Sequence, residues 1–186
     1  MGRRGEAFWL WAVFITLCAF GVSCAVLIYN DYDNEIANSR SETIYQMIAQ
    51  LKTKGVPIDG VGMQMHLLNP DLPQTPPRRE DVIANMQRFG QLGVKVYVTE
   101  LDVTLDRTAN TQKEKWEHPA GIYRDMLAAC PESGGCPSFS LYGVSDALSW
   151  YVAVGLPNPR PLPFDSNYQP KPAYYALREA LSGLKP

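Results

Sequence analysis

The segment Val96 to Val103, VYVTELDV, sets two carboxylates among strand-forming residues. Side chains alternate along a strand, so Glu100 and Asp102 project to the same side. Like charges that close repel, which raises a pKa or demands a partner. A fold does not need such a pair for stability, whereas nucleophilic or acid/base chemistry does. His66 closes another apolar run, GVGMQMHL. An imidazole between two carboxylates can donate to one and be fixed by the other. Each feature has a plainer reading: an acidic loop after a strand, a satisfied histidine at a strand end, Asn30-Asp31 as a turn, Trp150 as core. Together they favour a site.

These residues need a scaffold, and the chain supplies one. It has 186 residues, enough for one domain or part of a larger one. Hydrophobic content is 46% and net charge −2, which permits a core and argues against a nucleic-acid partner. The spacing predicts a strand over 24–29, a helix over 41–54, a strand over 60–67 and a helix over 80–92. A strand over 94–101, a helix over 119–129, a strand over 138–144 and a helix from Pro172 to Leu181 follow. Alternating strands and helices imply parallel pairing with helical crossovers. Both a doubly wound sheet and half of a (β/α)8 barrel fit that order.

The polar residues choose between them. Asn30, Asp31 and Tyr32 follow the first expected strand and His66 ends the second. Glu100 and Asp102 end the third, and Asp146 and Trp150 follow the fourth. Chemistry gathered at the C-terminal ends of successive strands suits a barrel. No Gly-rich phosphate fingerprint follows the first strand. Histidines and cysteines show no ligand spacing, so neither metal nor cofactor is expected.

The start of the chain is of another kind. Arg3 and Arg4 precede an uncharged run from Ala7 to Tyr29. It is long enough for a bilayer, which takes about 20 apolar residues, and a basic start before an apolar stretch also fits a secretory signal. Residues 1–23 are therefore expected to be a signal-like or transmembrane segment, a hydrophobic helix ahead of a domain over 24–186. That reading makes the protein secreted or membrane-anchored outside the cell, with any anchoring through 7–22.

Five segments then carry a family resemblance. They are Tyr29-Asn30-Asp31-Tyr32; Gly55 to Gly62 with Gln64 and His66; Val98-Thr99-Glu100-Leu101-Asp102; Gly143-Val144-Ser145-Asp146 with Ser149-Trp150; and Phe164-Asp165 leading to Tyr168 to Tyr174. In order and spacing the chain resembles glycoside hydrolase family 10, the β-1,4-xylanases. The resemblance implies the C-terminal half of a (β/α)8 TIM barrel, about strands 5–8, acting on xylan or xylo-oligosaccharide. It implies that Glu100 is the nucleophile of a retaining glycosidase, with His66 and Asp102 holding it ionised and oriented. It places Asn30, Tyr32, Gln64, Tyr142 and Trp150 toward substrate, and a disulfide between Cys130 and Cys136.

The chain departs from the family in three places. Tyr142 stands where the family has a tryptophan. The stretches 69–79 and 107–118 do not align. No segment matches the strand that carries the acid/base glutamate, and Asn34-Glu35 reads as a loop or helix-start pair. A retaining enzyme uses two carboxyl groups about 5–5.5 Å apart, so this half is expected to be inactive alone. Three functions stay open: a xylanase represented by its nucleophile half, a membrane-anchored carbohydrate-binding pseudoenzyme, and a truncated product whose fold requires the missing N-terminal half-barrel.

Overall fold

The computed structural model describes residues 25–68, 76–105, 109–155 and 159–183. The apolar run 7–22 lies outside the described residues. Among the described residues, no helix is long and apolar enough to cross a membrane.

Four strands form one parallel sheet in sequence order: β1 (Ile28–Tyr32), β2 (Gly60–Leu67), β3 (Lys95–Val103) and β4 (Phe139–Leu141). Between them run α1 (Ser39–Thr53), α2 (Arg79–Gly90) and α3 (Gln112–Glu132). A 3-10 turn (Asp146–Leu148), the short α4 (Trp150–Ala153) and α5 (Pro172–Gly183) complete the order.

The core explains which way the strands face. Val61, Met63, Met65 and Leu67 of β2 join Val96, Val98, Leu101 and Val103 of β3 in one buried cluster. Ile44 and Ile48 of α1, Val82, Met86 and Phe89 of α2, and Tyr123 and Met126 of α3 close it. Burying each such side chain stabilises the fold by about 1.5–3 kcal/mol before entropy is counted. The intervening residues of β2, Gly60, Gly62, Gln64 and His66, therefore occupy the other face of the sheet.

Local chemistry sets the ends of the helices. The Asn38 side chain accepts from the Ser41 N–H at 2.8 Å and starts α1. Thr111 and Glu114 form a reciprocal capping box at the start of α3. That box starts the helix seven residues earlier than the pattern from Pro119 predicts, so 112–118 is helix rather than loop. Pro119 and Pro131 lie inside α3. The backbone hydrogen bonds they remove cost less than the buried face of Tyr123, Met126 and Ala129 returns.

β3 runs two residues past its expected end at 101, and β1 and β4 differ more. β1 starts at Ile28 and includes Asn30, Asp31 and Tyr32, which pair with Gly62, Met63 and Gln64. Asn30-Asp31 does not form the turn of its plainer reading, because the backbone there is paired with β2. β4 is only three residues long. Gly143, at φ 121°, ends it, and a Cβ there would come within 2.9 Å of Leu162.

Cys130 and Cys136 are disulfide-bonded, with Cα atoms 5.1 Å apart. The link ties the end of α3 to the approach to β4, and so short a loop adds about 2 kcal/mol. A buried ion pair anchors the segment after α4. Lys171 Nζ lies 2.8 Å from Asp146 Oδ2 and donates to Arg160 O at 2.8 Å. Asp146 Oδ1 also accepts from the Leu162 N–H at 2.9 Å. Burial lowers the Lys171 pKa, and Asp146 opposes that shift.

Lys171→Met removes the countercharge and strands the Asp146 carboxylate. Chemical denaturation should show a loss of about 3–5 kcal/mol, with part of it recovered when Asp146 is also replaced by Leu. A single-variant loss below 1 kcal/mol would contradict the buried-pair assignment.

Candidate active site

A bulge in β3 aims the site. Met63 pairs with Val98 and Gln64 with Glu100, so Thr99 is the extra residue between them. A bulge shifts the phase of side-chain alternation. Val96 and Val98 face the helices before it, and Leu101 and Val103 after it. Thr99 and Glu100 consequently both fall on the face opposite the helices, with Asp102 two residues on. Gly62 of β2 leaves room there: a Cβ would lie 2.3 Å from Asn30 Oδ1 and 2.9 Å from Thr99 Cγ2.

The charged groups meet at the C-terminal ends of β2 and β3. His66 is paired directly with Asp102 and Gln64 with Glu100. His66 Nδ1 lies 3.1 Å from Asp102 Oδ2, and Nε2 lies 3.3 Å from Glu100 Oε2. Ionised carboxylates only accept, so the ring donates on both sides when protonated. Asn30 Nδ2 donates to Glu100 Oε1 at 3.2 Å. Each Glu100 oxygen therefore has a donor.

Asp102 is completely buried. A buried carboxylate stays charged only if donors replace its water. Besides His66, Trp150 Nε1 donates to Oδ2 at 2.8 Å and Tyr151 OH to Oδ1 at 3.4 Å. These donors hold the negative charge that fixes the imidazole. Burial pushes the His66 pKa down, but the hydrogen bond and field of Asp102, helped by Glu100, leave it raised above 6.5.

Aromatic rings frame the imidazole. The Tyr142 and Trp150 rings lie 5.1 Å and 5.4 Å from the His66 ring, both edge-on. Tyr142 is smaller than the indole expected from the family and is half-exposed. Tyr32, at the end of β1, is also half-exposed and stacks under the Arg40 guanidinium at 4.0 Å. The structure thus gathers Asn30, Gln64, His66, Glu100, Asp102, Tyr142 and Trp150 in one region, while Tyr32 contacts Arg40 beside it.

Three participants escaped the sequence reading. Thr99 contacts Asn30, and only the bulge reveals that it shares a face with Glu100. Tyr151 looks like any apolar neighbour of Trp150. Glu35, expected in an ordinary loop, is 5% exposed between β1 and α1. Burial raises its carboxyl to about 7; the field of Asp33 adds to the rise and that of His66 opposes it. A glutamate next to an asparagine in a polar stretch gives no signal of such burial. Among the described residues, no group of His, Cys, Asp or Glu is arranged to hold a metal.

With this geometry in place, comparison with known proteins is decisive. The model of glycosyl hydrolase family 10 matches residues 11–180. The chain belongs to glycosyl hydrolase family 10. The fold of that family is a (β/α)8 barrel, and the four-stranded parallel sheet with its helices in this chain is consistent with part of one. Endo-1,4-beta-xylanase B of Thermotoga neapolitana is 36% identical over 159 residues, covering 84% of this chain and 44% of that protein. The xylanase 10B of Thermotoga petrophila, solved in complex with xylobiose, has a TM-score of 0.73 at 35% identity, covering 85% of this chain and 46% of its own. An endo-1,4-beta-xylanase of Penicillium canescens has a TM-score of 0.79 at 29% identity, covering 90% of this chain and 49% of its own. The chain spans less than half the length of each of these relatives.

Two outcomes test the electrostatics. Asp102→Asn removes the main force that raises the His66 pKa, so its midpoint, followed by NMR of the ring, should fall; an unchanged midpoint would contradict the assignment. Glu35 has a folded pKa of about 7 against 4.5 when free. A raised acid favours folding below the free value, and that advantage is lost as pH rises through the folded one. Stability should fall by about 3 kcal/mol between pH 4.5 and 7 on this account, at about 1.36 kcal/mol per unit. Glu35→Gln should flatten that part of the denaturation profile, and an equally steep profile in the variant would exclude Glu35 as its source.

Proposed function

We propose that this chain is the nucleophile-bearing half, about strands 5–8, of a retaining endo-1,4-beta-xylanase-type glycoside hydrolase. Glu100 carries the reading: its two oxygens receive Asn30 Nδ2 and His66 Nε2, and Asp102 holds His66 from behind. A nucleophilic carboxylate must be charged, and hydrogen-bond donors favour that form.

In the proposed reaction a Glu100 oxygen attacks the anomeric carbon of a xylosyl unit. The C1–O bond to the leaving sugar breaks as the new C1–O bond forms. The departing oxygen takes the bonding electrons and a proton from a carboxylic acid on another half-barrel. Water then attacks C1, the same carboxyl now accepts its proton, and Glu100 is released with overall retention. His66 donates to Glu100 throughout and keeps its charge in place. Tyr142 and Trp150 offer ring surfaces, which suit the apolar C–H faces of a sugar. Xylobiose in the complex of the Thermotoga petrophila relative supports a xylo-oligosaccharide ligand.

The need for a second half is supported by the sheet itself. Among the described residues, β1 and β4 each pair on one side only. Val26, Leu27 and Ile28 at one end and Val144 at the other are exposed. Unpaired apolar edges of a parallel sheet call for further strands. The Cys130–Cys136 disulfide supports an oxidising, extracellular setting.

The test mixes the full chain with the N-terminal half-barrel of a family relative and follows xylan hydrolysis by 1H NMR. The first-formed reducing ends should be β-anomers, the chain alone should release none, and Glu100→Ala should abolish turnover in the mixture. Inverted products, or unchanged turnover in Glu100→Ala, would overturn the reading.

A further inference from the structure

Glu100 needs an amide from Asn30, but an asparagine side chain can present either its oxygen or its nitrogen. The wrong choice sets a carbonyl oxygen against a carboxylate. Nothing in Asn30 itself decides the matter, and β1 is an edge strand with the residue exposed. The decision comes from β3. Thr99 Oγ1 lies 2.7 Å from Asn30 Oδ1 and 3.2 Å from Met63 O.

We infer that Thr99 is a positioning residue: its hydroxyl locks the Asn30 amide so that the N–H side faces Glu100. The Asn30 oxygen cannot donate, so at 2.7 Å the Thr99 proton must point to it. That bond holds the oxygen toward Thr99 and leaves Nδ2 directed at Glu100 Oε1, 3.2 Å away. The relay runs Thr99 to Asn30 to Glu100, and it joins two adjacent residues of β3 through a side chain of β1. Two structural features make it feasible. The bulge puts Thr99 and Glu100 on the same face, where regular alternation would part them. Gly62 leaves the gap that Asn30 Oδ1 and Thr99 Cγ2 occupy. An alanine there would push both away. The inference deepens the nucleophile assignment of Glu100 and rests on it for its catalytic meaning, but the hydrogen-bond relay is measurable without catalysis.

The groups acting on Glu100 are His66 from β2, Asp102 from β3 itself and Asn30 from β1, with Glu35 coupled through His66. The experiment labels glutamate with 13C at Cδ in the full chain and titrates the Glu100 signal, assigned by its absence in Glu100→Gln. Thr99→Val keeps the shape and loses the donor. The Glu100 midpoint should rise by about one pH unit, as when a carboxylate gives up a hydrogen bond. Thr99→Ser should restore the wild-type value. In an Asn30→Ala background, Thr99→Val should cause no further change, because Thr99 acts through Asn30. A midpoint unmoved by Thr99→Val, or moved equally in both backgrounds, would overturn the inference. In the complemented mixture the same variant should lower kcat, and Thr99→Ser should restore it. Absence of any turnover with the unaltered chain would count against the proposed function, while the midpoint series would still decide the relay.

Discussion

A carboxylate sealed from water is the constraint around which this site is organised. Asp102 has no exposed surface, so its charge must be balanced by donors or given up. Trp150, Tyr151 and His66 provide them. The consequence reaches outward: His66 is fixed by one nitrogen and so presents the other to Glu100. A wall of aromatic rings follows from the same bonds, since Trp150 is oriented by its indole N–H. Apolar packing could bring these strands together, but only the buried charge dictates how the imidazole must face.

Backbone irregularity does the remaining work. Strict alternation in β3 would send Thr99 and Glu100 to opposite faces. The bulge between Val98 and Glu100 keeps Val98 and Leu101 in the core while turning both Thr99 and Glu100 to the opposite face. The same device explains why β3 reads as two half-strands with different phases. A small residue across the sheet, Gly62, then becomes a requirement rather than a convenience.

Much of this was legible in the sequence. Period-two alternation located β2 to the residue, because Val61, Met63, Met65 and Leu67 mark one face without interruption. Glu100, Asp102 and His66 could be grouped because strand ends of parallel units converge. β1 was misplaced because apolar character ends at Tyr29, whereas strand pairing continues through the polar Asn30, Asp31 and Tyr32; side-chain hydropathy does not report a backbone ladder. The early start of α3 was hidden by Pro119, which reads as a beginning although Thr111 and Glu114 hold the true one. The bulge shows only as a change of apolar phase from Val96 and Val98 to Leu101 and Val103, and strict alternation counted from Glu100 puts Thr99 on the wrong face. Burial of Glu35 is set by tertiary packing, which no local pattern encodes.

The most direct measurement of the central claim is covalent capture of Glu100. A 2-deoxy-2-fluoro xylobioside with a dinitrophenolate leaving group needs no proton donor to depart, so it tests the nucleophile apart from any acid. The full chain, mixed with a family N-terminal half-barrel, should gain one fluoroxylobiosyl unit, and peptide mapping should place it on Glu100. A sugar attached to another side chain, or no attachment to the folded chain in that mixture, would contradict the account.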